Sequence, residues 1–167
     1  MRRAAAALLA LGLALAGCGA TEQWVEPVGV RPPPGAEPAG KRAERQGGPD
    51  PDAGEQIFRL RPREGESIAY AVTVRNVTDK PISITGVKAD ADRDGAFVPK
   101  AVAGAPVEVA PGAEQQIEIE GDVRGCRFGG QTVPLAGPQL ELRSGGEELA
   151  QQVELGARIE LVVEEGC

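Results

Sequence analysis

The chain has 167 residues, 18 basic against 25 acidic side chains for a formal net charge of −7, and no histidine. Lack of His removes the usual general base, the commonest transition-metal ligand and any Ser-His or Cys-His nucleophile pair, so the composition predicts a protein that is not an enzyme. From Gln56 onward 12 basic residues stand against 18 acidic ones, a net of −6, which opposes nucleic-acid binding because that needs a basic surface.

The N-terminus has three parts. Arg2 and Arg3 give a charged start, Ala4 to Ala16 is an apolar run broken only by Gly12, and Leu15-Ala16-Gly17-Cys18 closes it. A positive start, a short apolar stretch and small residues before a cut site make a secretory signal. The apolar run is roughly 13 residues, short of the about 20 that a helix needs to cross the hydrocarbon core. Leu15-Ala16-Gly17-Cys18 resembles the lipobox of bacterial lipoproteins, in which the cysteine thiol receives diacylglycerol and the chain is cut before it. The resemblance implies a signal peptide over 1–17, lipid on Cys18, and attachment to the outer face of a bacterial membrane in the cell envelope. Stable anchoring takes two or more acyl chains, which a lipobox cysteine carries.

From Cys18 to Gly54 prolines fall at 27, 32, 33, 34, 38, 49 and 51, among seven glycines. The apolar residues keep no period of 2 or 3.6, which predicts a disordered, flexible tether over 18–54. Such a chain spans on the order of 30–35 Å and would lift a domain clear of the head groups. Trp24 reads either as an interface aromatic or as a linker residue without a role.

Residues 55–167 read as strands. Ile57-Phe58-Arg59-Leu60 is a short first candidate. In Ser67–Arg75, Ile68, Tyr70, Val72 and Val74 alternate with smaller or polar residues, and Asn76–Pro81 has turn chemistry. Asn76-Val77-Thr78 also matches a glycosylation sequon, but Asn76 reads as a turn residue. Ile82, Ile84 and Val87 follow, then Val107 and Val109, Ile117 and Ile119, and Leu140 and Leu142 before the turn Ser144-Gly145-Gly146. Val153 and Leu155 form another segment, and Ile159, Leu161 and Val163 close the series. Short strands with one polar face and turns between them predict an all-β fold, an antiparallel β-sandwich of seven or eight strands. The runs Tyr70–Val87 and Val109–Glu114 resemble the strand-turn-strand of bacterial immunoglobulin-like envelope domains, which implies an immunoglobulin-like sandwich. The domain differs from antibody-type domains in having no Trp and in the placing of its cysteines.

With Cys18 lipidated, Cys126 and Cys167 remain, and two cysteines in an exported domain most often pair. The bridge would close a loop of about 40 residues, worth about 4 kcal/mol in the chain-entropy model. Asp90-Ala91-Asp92-Arg93-Asp94-Gly95 matches the opening of a calcium loop, with Asp90, Asp92 and Asp94 as the converging carboxylates. The match fails further on, where Ala101 takes the place of the bidentate Glu and Pro99 intrudes.

The expected function is thus a membrane-anchored, non-catalytic envelope lipoprotein. Its immunoglobulin-like domain would serve a structural role or bind an unknown envelope protein, without cofactors. The alternative is a calcium-dependent envelope protein using Asp90, Asp92 and Asp94 for Ca²⁺.

Overall fold

The alternation in Ser67–Asn76 and Glu114–Val123 builds the centre of the molecule. The computed structural model describes residues 22–41, 54–89, 95–124 and 128–163. Among these, twelve strands run in chain order: β1 Val25–Arg31, β2 Glu37–Lys41, β3 Gln56–Leu60, β4 Ser67–Asn76, β5 Ile82–Val87, β6 Phe97–Val102, β7 Val107–Val109, β8 Glu114–Val123, β9 Thr132–Pro134, β10 Gln139–Ser144, β11 Glu147–Gln152 and β12 Arg158–Val162. They form three four-stranded sheets, ordered β1-β4-β8-β6, β11-β10-β5-β7 and β2-β3-β12-β9. The fold is all-β and sandwich-like.

β4 and β8 pair antiparallel from Ser67↔Asp122 to Arg75↔Glu114. Because side chains alternate across a strand, Tyr70, Val72, Val74, Ile117 and Ile119 all fall on the inner face and are buried. From β4 to β8 the chain alternates between the first and second sheets, so the buried face of each strand meets that of the next. Ile82, Ile84, Leu140 and Leu142 of the second sheet join the same core, as do Leu60, Ile159 and Leu161 of the third. Each such side chain contributes roughly 1.5–3 kcal/mol relative to exposure. Gly121 is required where β8 passes β6, since a Cβ there would lie 2.4 Å from both the Phe97 ring and the Val98 carbonyl oxygen. That space lets Phe97 meet Tyr70 edge-on, with centroids 5.7 Å apart. The β10–β11 hairpin closes through Gly145 and Gly146, both at positive φ (56° and 90°), as a two-residue turn between Ser144 and Glu147 demands.

The sequence-based expectation needs four corrections. There are twelve strands among the described residues rather than seven or eight. β3 and β12 pair parallel, a long-range contact that no local pattern signals. The segment around Val153 and Leu155 is irregular although both side chains are buried, and the strand lies before it, at Glu147–Gln152.

The fourth correction concerns the tether. Val25–Arg31 and Glu37–Lys41 are strands, and Trp24 and Val25 are core residues, exposed by 5% and 0%. The prolines and glycines that read as breakers sit at register shifts, between Pro27 and Gly29 in β1 and between Pro38 and Gly40 in β2. Both are edge strands, and edges and bulges are where a sheet admits a residue without an N–H. β6, another edge strand, shifts register between Pro99 and Ala101.

Candidate functional site

The six side chains singled out in the sequence, Cys18, Cys126, Cys167, Asp90, Asp92 and Asp94, lie outside the described residues. Their flanks are placed. Residues 90–94 connect β5 to β6 and residues 125–127 follow β8. The Arg124 N–H donates to the Ala96 carbonyl at 2.7 Å, so the described flanks of the two connections lie side by side at this end of the first sheet. Val163 accepts from the Gly130 N–H and donates to the Gln131 carbonyl, each at 3.0 Å. Trp24 marks the other end of this sheet: its carbonyl accepts from the Val77 N–H at 3.0 Å, one residue past the end of β4. The ten residues of β4 separate the two ends by about 30 Å.

Charged groups gather at the loop end. Asp122 accepts from the Ser67 hydroxyl at 2.8 Å and pairs with Lys100. The Lys100 ammonium first, then Ser67, hold its carboxyl below the ordinary value. Beside it, Gly65 donates to the Val123 carbonyl at 3.0 Å and Val123 donates back to Glu66 at 2.9 Å. Glu66 also lines an open groove of about 560 Å³, together with Pro34, Glu37, Arg59, Leu60 and Arg61.

Glu160 fixes one wall of that groove. It is 7% exposed, and Arg59 Nε and Arg158 Nε donate to its two oxygens at 2.9 Å each. Burial pushes its carboxyl pKa up, but the hydrogen bonds and charges of the two guanidiniums outweigh burial and bring it below the ordinary value. Arg75 belongs to a third charged row, between Glu26 at 2.7 Å and Glu114, and the hydrogen bond it donates to Glu114 is the largest cause raising its pKa. In all three groups the shift favours the charged form. Of the groove's own charged residues, Arg59 is held by Glu160 and Glu66 accepts from the Arg63 N–H at 2.7 Å. The groove thus offers a guanidinium and a carboxylate in fixed positions, suited to holding a polar or charged segment by hydrogen bonds.

The sequence did not disclose this groove. Arg158 and Glu160 share a face by the period of two, and so did carry a signal. The parallel pairing that sets Arg59 opposite Glu160 has no counterpart in local pattern. Nor does anything in the sequence mark Gln151, whose side chain binds the start of β1: its Oε1 accepts from the Trp24 N–H at 2.8 Å, and its Nε2 donates to the Val25 carbonyl at 2.6 Å.

No family model and no curated protein matches the chain. Among solved structures, the Vibrio cholerae VesB protease is similar over 65% of this chain, at 16% identity and a TM-score of 0.38. This chain spans 30% of that protease chain. The expectation that the chain is not an enzyme is corrected on this finding. A likeness of this extent transfers no fold detail and no residue role.

Proposed function

We propose that the chain is an exported bacterial lipoprotein, fixed by lipid on Cys18 to the outer face of a membrane, whose immunoglobulin-like β-domain binds another component of the cell envelope or braces it. The observation that carries this reading is Leu15-Ala16-Gly17-Cys18 at the end of an apolar run of signal length, followed within a few residues by the first core side chain, Trp24. The loop end and the charged groove beside Arg59 and Glu66 are its binding surface, about 30 Å along the first sheet from the lipid-bearing end. Loops and grooves on a rigid β scaffold are where such domains make contacts.

A disulfide between Cys126 and Cys167 belongs to the same reading. Gly130, four residues after Cys126, is hydrogen-bonded to Val163, four residues before Cys167, so the described flanks of the two cysteines lie together. Formation of such bonds is favoured in the oxidising space outside the membrane.

The test is metabolic labelling with an alkyne palmitate in a bacterial host, with membrane fractionation. The wild-type protein is expected to take the label and stay with membranes, and Cys18→Ser is expected to lose both. A wild-type protein that is exported, cut elsewhere and unlabelled would sink the proposal. Cross-linking in intact cells with mass spectrometry then names the envelope partner, which is expected to be lost when Arg59 and Arg61 are replaced by Ala.

A further inference from the structure

We infer that the Trp24 end of the β-domain rests directly on the head groups of the membrane that carries the Cys18 lipid, as an apposed surface rather than a domain on a long leash. The inference depends on lipidation of Cys18 and adds to it an orientation and a partner, the lipid surface.

Chain length is the first argument. Only residues 19–23 lie between Cys18 and Trp24, and six Cα steps reach at most about 20 Å fully extended. Trp24 cannot extend that reach by leaving the domain, because it is buried at 5% exposure and Val25 at 0%. The backbone there is held on two sides. Gln151 of β11 accepts from the Trp24 and Val25 N–H groups at 2.8 and 3.1 Å, and the Trp24 carbonyl accepts from Val77 at 3.0 Å. The leash therefore ends at Gln23.

Surface composition is the second argument. Among the described residues, the exposed large hydrophobic side chains are Val28 and Val77, at 44% and 45%. Both sit at this end. Val77 is bonded to Trp24, and Val28 lies in the β1 bulge between Pro27 and Gly29, whose partners are Val74 and Thr73 near the end of β4. Charges at this end are mixed with an acidic excess: Asp79 stands beside Lys80, Arg75 lies between Glu26 and Glu114, and Glu22 is exposed two residues before Trp24. Against zwitterionic head groups, which carry no net charge, this excess meets little opposing field. The loop end, by contrast, points away from the membrane.

Trp24 is the sole Trp of the chain and serves as its own reporter. The lipidated protein is reconstituted in phosphatidylcholine vesicles that contain a dansyl-labelled phosphatidylethanolamine, and energy transfer from Trp24 is measured beside a variant with fifteen Gly/Ser residues inserted after Gly19. The insert lengthens the leash by roughly 20 Å in root-mean-square terms. Efficient transfer in the native chain, reduced several-fold by the insert, with blue emission from a buried Trp24 in both, supports the inference. Lipidated, vesicle-bound protein without transfer overturns it. So does transfer that the insert leaves unchanged, or red emission showing that Trp24 has left the core. Intact mass of the same preparation separates these results from failure of the lipoprotein reading itself, which would show as Cys18 without lipid and no vesicle binding.

Discussion

The side-chain amide of Gln151 grips both polar groups of Val25, a residue 126 positions away: Oε1 accepts from the Val25 N–H at 3.1 Å and Nε2 donates to the Val25 carbonyl at 2.6 Å. β11 and β1 are edge strands of different sheets, so one glutamine acts as a rung between them. Its Oε1 also takes the Trp24 N–H. Replacing Gln151 by Ala strips the Trp24 and Val25 N–H groups of this acceptor in a partly buried seam, while the Val25 carbonyl keeps the Gln23 side-chain amide at 3.1 Å. The expected cost is about 1–3 kcal/mol in urea unfolding. Gln151→Glu keeps the acceptor and loses the donor, and is expected to fall between wild type and Gln151→Ala.

Burial of Trp24 gives the second prediction. A Trp at 5% exposure replaced by Ala is expected to cost about 3–5 kcal/mol, read as a lowered midpoint of thermal unfolding. A Trp in a flexible tether would cost nothing, so the same measurement decides between the two descriptions of residues 18–54.

That contrast shows where the sequence was legible. β4, β5, β8 and β10 were readable because one face is buried and the other more exposed, and a period of two follows directly. β12 was readable from Ile159 and Leu161, although Glu160 between them is buried too. β1 and β2 were not, because Pro27, Gly29, Pro38 and Gly40 carry the local signal of loop while sitting at bulges in edge strands. Whether a proline breaks a strand or edges one depends on which side of it lacks a neighbour, and that is a property of the assembled sheet. The same holds for the groove. Arg59, Arg158 and Glu160 become a cluster only through the parallel pairing of β3 and β12, strands about a hundred residues apart.

Glu160 makes a prediction about pH. Its folded-state pKa lies below the ordinary carboxylate value of 4.5 because Arg59 and Arg158 outweigh burial. A carboxylate with a depressed folded pKa contributes stability that is fully present above the unfolded value and lost as pH falls through the folded one. Wild-type stability is therefore expected to fall as pH drops below about 4.5, and Glu160→Gln is expected to flatten that part of the profile. At neutral pH the substitution is expected to cost about 1–3 kcal/mol. It stays below the loss for a fully buried pair because Arg59 is about half exposed, at 53%. An unchanged acid profile in Glu160→Gln would show that other carboxylates, such as the low-pKa Asp122, set the acid limit.

Asn76 carries the sharpest stability prediction. It is fully buried at the end of β4, and its amide is saturated: Nδ2 donates to the Lys80 and Val109 carbonyls at 2.8 and 2.9 Å, while Oδ1 accepts from the Thr78 N–H and hydroxyl at 2.8 Å each. Its own N–H and carbonyl pair with Ala113 and Gly112 at 3.0 Å. One side chain thus closes the β4–β5 turn onto the end of β7 in the second sheet. Asn76→Ala removes all four side-chain bonds and leaves their partners unmatched, for an expected loss of about 2–4 kcal/mol. Asn76→Asp keeps the acceptor oxygens, loses both donors and places a charge against two carbonyls, so it is expected to be at least as destabilising at neutral pH and to recover in part in acid, where the carboxyl regains a donor. Urea unfolding at pH 7 and pH 4 checks the order. A mild effect of both variants would mean that the turn is held by Thr78, whose single hydroxyl proton can go to the Lys80 carbonyl at 2.9 Å instead of to Asn76, and Thr78→Val would then carry the loss.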